Sequence, residues 1–131
     1  MQSYLLQDWI TLQGSSTVTV LTQSENDWLD LTGFQDIVTW LDVKEASGTS
    51  PVVAFQTAPT QDEVLFFNMG SVAISGPGLT TTVMLKETAL LPLARWFRWQ
   101  MQVGAAAWDI TFRIWCAVNA TGSNKPTLGS Q

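Results

Sequence analysis

From Ala94 to Val118 the chain reads ARWFRWQMQV, GAAA, WDITFRIWCAV, and its strict alternation leaves little choice of fold. In steps of two, Phe97, Trp99, Met101 and Val103 point one way, and Trp96, Arg98, Gln100 and Gln102 the other. In the second run Trp108, Ile110, Phe112, Ile114, Cys116 and Val118 share one side, while Asp109, Thr111, Arg113 and Trp115 share the opposite side. Successive side chains leave a strand on opposite faces, so a period of two is the mark of a half-buried β-strand. Gly104 to Ala107 is short enough to turn the runs into a hairpin. Pairing Val103 with Trp108 then sets Met101 against Ile110, Trp99 against Phe112 and Phe97 against Ile114. Every inward residue meets another, which makes this the expected register.

The rest of the chain repeats the theme in shorter pieces. Tyr4 to Gln13, Thr17 to Leu21, Phe34 to Glu45, Val52 to Thr57, Val64 to Met69, Ser71 to Ile74 and Thr80 to Leu85 read as strands. Within Phe34 to Glu45, Ile37, Thr39, Leu41 and Val43 take one side, and Val38, Trp40, Asp42 and Lys44 the other. VLFFNM, from Val64, is apolar on both faces and suits an interior strand or an end folded under a loop. Turn chemistry separates the runs at Gly14-Ser15-Ser16, Ala46 to Pro51, Ala58 to Asp62 and Ser75 to Gly78. Gln23 to Gly33 reads as a loop with one short turn, its Trp28 and Leu29 capping the core. Lys86 to Pro92 reads as a connector. The expectation is an all-β, single-domain antiparallel β-sandwich of eight or nine strands, jelly-roll-like or Greek-key, over residues 1–119. Its core includes Phe55, Phe97, Trp99, Met101, Trp108, Ile110, Phe112 and Ile114. Residues 120–131 read as a flexible polar tail or arm.

Composition narrows the function. The 131 residues are 46% hydrophobic, with seven Trp and six Phe, and only 13% charged. So little charge leaves Thr, Ser, Gln and Asn to cover the surface, which suits an assembly. Six basic residues against eleven acidic ones cannot form a stripe that tracks a phosphate backbone or a membrane surface, so neither nucleic acid nor membrane is expected as a partner. MQSYLLQDWITLQG has neither the basic start nor the continuous apolar stretch of a secretory leader, so the chain reads as made in the cytoplasm without a signal peptide.

Chemistry is sparse. There is no His, and Cys116 is the single cysteine, on an inward strand position. That excludes the common triads and zinc ligand sets and leaves Cys116 as a small buried hydrophobe. Asp62 and Glu63 in one loop, and Glu25, Asp27 and Asp30 in another, read as solvated loop charges rather than a glycosidase pair or a calcium loop. Catalytic, cofactor-binding and metal residues are therefore all expected to be none, and the chain is expected not to be an enzyme. The informative group is the outward side of the hairpin, where Trp96 would oppose Trp115 and Arg98 would oppose Arg113. Two Arg in one place invite a carboxylate, for which Asp42, beside Trp40, is the internal candidate. The face admits three readings: covered second core layer, protein interface, or Trp platform for a carbohydrate. Low charge, polar remainder and tail favour an interface with itself or a larger protein shell, as a homo-oligomer. Its candidates are Trp96, Arg98, Arg113, Trp115, Trp40 and Asp42.

Three segments carry a family likeness: WLDVKEASG (Trp40 to Gly48), VVAFQTAPTQDE (Val52 to Glu63) and LPLARWFRWQMQVGAAAWDITFRIWCAV (Leu91 to Val118). In that order they resemble small all-β proteins of phage and prophage structural modules, with their strand, turn, T-x-P strand and P-L-x-R-[WY]-x-R hairpin. The likeness spans Val38 to Val118. It implies a non-enzymatic component of a virion or phage-like particle, such as a capsid decoration or head–tail protein, and no catalytic residues carry over. The layout is also similar to discoidin-type and carbohydrate-binding sandwiches, although the cysteine pair of many discoidin-type domains is missing here. A carbohydrate-binding module is accordingly the alternative expectation.

Overall fold

Alternation becomes strand throughout the computed structural model, which describes residues 2–15, 20–48, 51–85, 93–102 and 107–120. The strands are β1 (Gln2–Gly14), β2 (Val20–Thr22), β3 (Leu29–Asp30), β4 (Phe34–Gly48), β5 (Val52–Ala58), β6 (Phe67–Ala73), β7 (Gly78–Met84), β8 (Trp96–Gln102) and β9 (Trp108–Ala120). One sheet has the order β1-β9-β4-β7, and the other β2-β8-β5-β6 with β3 also on β8. Short β2 and β3 are two pieces of one edge strand, interrupted by a 3-10 turn over Glu25–Asp27. Counted that way, eight antiparallel strands follow the jelly-roll order, a double Greek key closed into a sandwich.

The inward residues are those that alternation selects. Phe55, Phe97, Trp99, Met101, Trp108, Ile110, Phe112 and Ile114 are all buried, with Leu31, Ile37, Leu41, Val53 and Val118 around them. Phe55 stacks on Phe97 at 6.0 Å, and Trp99 stands edge-on to Phe112 at 5.1 Å and 87°. Cys116 lies in this core, fully buried, and burial pushes its thiol pKa up to about 12.

The expected hairpin does not form. β8 pairs with β5, β2 and β3, whereas β9 lies between β1 and β4, so the two runs belong to opposite sheets. Trp99 meets Phe112 across the sandwich, not along a ladder. Alternation states which side of a strand is apolar, and a partner beside it or about 10 Å above it satisfies that side equally. The connection between β8 and β9 is long enough for the crossing, since five extended residues reach roughly 16 Å. Of the expected turn, Gly104 to Ala107, residues 104–106 lie outside the described residues.

Two loop readings also change. Val64 to Met69 is not an interior strand: Glu63–Leu65 forms a 3-10 turn, and Val64 and Phe67 are 80% and 64% exposed. Asp62 is the cause, because its side chain accepts the Val64 amide at 3.3 Å and its carbonyl the Leu65 amide at 3.0 Å. The Gln23 to Gly33 stretch carries the Glu25–Asp27 turn and the strand β3 besides its loop. Gln23 anchors it, donating to the Leu6 carbonyl at 2.7 Å and accepting the Trp99 amide at 3.3 Å, while Trp28 is buried as expected. β4 continues past Glu45 to pair Gly48 with Trp108. The connector at 86–92, the start of the second strand at 17–19 and the tail at 121–131 lie outside the described residues.

Gly48 and Gly33 both adopt left-handed backbone, with φ of 86° and 90°. A Cβ on Gly48 would collide with the Ala107 carbonyl oxygen, whereas one on Gly33 meets nothing within 4 Å. Gly33→Ala should therefore cost only the backbone penalty of about 1–2 kcal/mol. Gly48→Ala should cost clearly more in urea-unfolding free energy, because the start of β9 must also shift.

Candidate interaction face

Four of the six candidate residues come together on the outer face of the β1-β9-β4-β7 sheet. Register places Leu5, Trp115, Trp40 and Thr81 in one row across its four strands. The next row pairs Arg113 with Asp42 and Asp42 with Leu79, and the row on the other side runs Ser3, Ala117, Val38 and Val83. The expected carboxylate is found: Arg113 Nη2 donates to Asp42 Oδ2 at 3.0 Å. Trp9 lies against the same guanidinium at 4.6 Å from its ring centroid.

This face is dry. Leu5, Trp9, Trp115, Val83 and Leu79 are between 38% and 63% exposed, and all five project from it. Trp40 and Val38 add half-buried apolar surface between them. Scattered exposed apolar residues need no explanation, but this many on one sheet face form a contiguous patch. Trp9 escapes a reading in steps of two because β1 changes register between Leu5 and Gln7 and again between Gln7 and Ile10. Leu79 and Val83 carry a legible signal, the alternation of LTTTV, but a short run alone does not say which sheet it joins.

Trp96 and Arg98 are not part of that face. They project from the other sheet, so Trp96 does not oppose Trp115 and Arg98 does not oppose Arg113. Arg98 is 2% exposed and structural. Its guanidinium lies 3.9 Å from the Phe66 ring centroid and 5.0 Å from that of Trp28, its Nε donates to Gln56 at 2.8 Å, and its two terminal nitrogens hold both oxygens of Glu63. Trp96 carries Arg95 at 5.5 Å, and Arg95 in turn grips Asp30 through two hydrogen bonds. Beside them runs an amide ladder. Gln56 donates to Asn68 at 2.8 Å and to Gln100 at 3.3 Å; Gln100 donates to Thr22 at 3.0 Å, and Gln102 to Gln100 at 2.7 Å. Its polar groups satisfy one another across all the principal strands of the sheet.

The acidic loops are taken up in the same way. Asp30 and Glu63 are held below the usual carboxylate range, chiefly by the hydrogen bonds from Arg95 and Arg98 respectively. Asp62 caps the 3-10 turn. Among the described residues, no three acidic or Cys side chains gather where a metal ion could be held. No described helix is long and apolar enough to cross a membrane.

The fold and site define a jelly-roll sandwich with one self-satisfied polar face and one dry one. No protein-family model and no curated protein sequence matches the chain. A solved structure described as "Bacillus endospore appendages form a novel family of disulfide-linked pili" is similar to it. That comparison has a TM-score of 0.46 and 14% identity, over 92% of this chain and 93% of that one.

Glu63 contributes stability while its carboxyl is ionised. Its folded pKa is depressed, so this contribution is present above the unfolded value, 4.5, and is lost as pH falls through the folded one. Glu63→Gln leaves the Arg98 charge with ring faces and Gln56 alone. Its side chain is 61% exposed, which weakens the pair, so the cost at pH 7 should be about 1–2 kcal/mol. The gap to the parent should narrow as pH falls below about 4.5 and vanish once Glu63 is protonated in the folded state as well, as read by urea unfolding at each pH.

Proposed function

We propose that this chain is a non-enzymatic assembly protein that joins copies of itself or a larger protein shell through the outer face of the β1-β9-β4-β7 sheet. The observation that carries the reading is the concentration of Leu5, Trp9, Trp115, Leu79 and Val83 on that face. Trp and Arg are among the residues most enriched where interfaces concentrate their binding energy. The polar groups that a sugar would need on the same face, Asp42 and Arg113, are bonded to each other. The surface therefore favours a protein partner over a glycan.

The chemistry supports a role without catalysis. The loop carboxylates Asp30 and Glu63 are spent on arginines, and the Cys116 thiol is buried and protonated. We further propose that the assembly is a virion or phage-like particle that takes up a chain made in the cytoplasm. Jelly rolls serve both viral capsids and lectins, so fold alone supports neither over the other. The dry face and the phage-module likeness of Val38 to Val118 favour the shell.

Trp115→Glu tests the face. Its side chain projects outward, so the variant should keep the parent's circular dichroism and melt within a few degrees of it. Light scattering over a concentration series should show the parent as an oligomer and the variant at a clearly lower mass. A variant that keeps the parent's mass would overturn the assignment of this face.

A further inference from the structure

Among the described residues the sandwich has four open edges, and three of them are defended. β1 is kinked by two register shifts and carries Asp8. The β2/β3 edge is broken by the Glu25–Asp27 turn. β6 contains Gly70, and its ladder with β5 slips between Phe55 and Gln56. Bulges, charges and interruptions are the usual devices that stop a sheet edge from pairing with another chain.

β7 has none of them. GLTTTVM contains no charge, no proline and no bulge, and it pairs with β4 over its whole length without a register shift. Leu79, Thr80, Thr81 and Val83 are exposed, and among the described residues no strand pairs with its other side. The sequence is also nearly symmetric about Thr81. Placed antiparallel to itself across a two-fold axis there, Leu79 meets Val83, Thr80 meets Thr82 and Thr81 meets its own copy. Apolar and Thr–Thr cross-strand pairs are both favourable. The outward Leu79 and Val83 already belong to the dry face, so such a pairing makes that face continuous from one copy to the next.

We infer that β7 pairs antiparallel with β7 of a second copy about a two-fold axis at Thr81, joining two four-stranded sheets into one eight-stranded sheet. The contact is isologous and closes on itself, so it builds a dimer, not a filament. This inference rests on the assembly reading and names its first partner. The Trp115 end of the face then remains free to bind the next component.

Cysteine crosslinking in the full chain separates the two ideas. Directly opposed residues in an antiparallel pair have Cα atoms about 4.5–5.5 Å apart, within disulfide reach. Cys116 is buried, so background crosslinking should be low. Under mild oxidation Thr81→Cys should run mainly as a dimer on a non-reducing gel. Leu79→Cys, equally placed for solvent but facing Val83, should stay mainly monomeric, and Leu79→Cys/Val83→Cys should crosslink again. If Thr81→Cys crosslinks no better than Leu79→Cys, the edge pairing is wrong. Should that happen while Trp115→Glu still lowers the oligomer mass, the face survives and only the edge falls. Conversely, Thr81→Cys dimers alongside an unchanged Trp115→Glu mass would uphold the edge and remove the face.

Discussion

Trp99 standing edge-on to Phe112 is the contact about which the sandwich is arranged. It joins β8 to β9 across the core, and each of those strands is flanked on both sides by hydrogen-bonded neighbours. Because both strands turn their large apolar sides toward this contact, their other sides become the two outer surfaces. Each surface then has to accommodate an arginine, Arg98 or Arg113. The solution is similar on both: an aromatic ring against the guanidinium and a carboxylate accepting from the terminal nitrogens, both of them in Arg98 and Nη2 alone in Arg113. The difference is depth. Arg98 is enclosed by Trp28 and Phe66, while Arg113 shares an open sheet with Trp9 and Asp42.

That difference marks the limit of what the residues reveal without coordinates. Alternation identifies the inward side of β4, β8 and β9, because burial on one face is a local property of the run, but not that of β1, whose spacing two register shifts break. It could not say whether Phe97–Met101 and Trp108–Ile114 meet side by side or face to face, since both bury the same atoms. Pairing Asp42 with Arg113 was legible because both lie on long, regular strands. Arg98 looked like a surface residue because Trp28, Phe66 and Glu63, which enclose it, come from turns far away in sequence. Trp9 was hidden by bulges, and the turn at Glu63–Leu65 by the capping habit of a single aspartate.

The two outer faces differ in how they meet water. On one, Thr22, Gln100, Gln56 and Asn68 exchange hydrogen bonds in a line, so solvent or a partner finds few unmet demands there. On the other, Leu5, Trp9, Trp115, Leu79 and Val83 stand exposed together at one end and offer water little in return. A molecule with such unequal surfaces has a direction.

One consequence concerns the order in which the chain is made. β1 and β4 do not touch as a ladder; they become neighbours only when β9 slides between them. Yet β9 follows the other eight described strands in sequence. Until residues 108–120 have emerged, the dry face has no middle, and Trp40 and Trp9 sit on strands that nothing holds together. Until β9 inserts, the edges of β1 and β4 and the apolar side that faces the core stay open, the condition in which partly folded chains aggregate, so one strand both closes the core and completes the outer face.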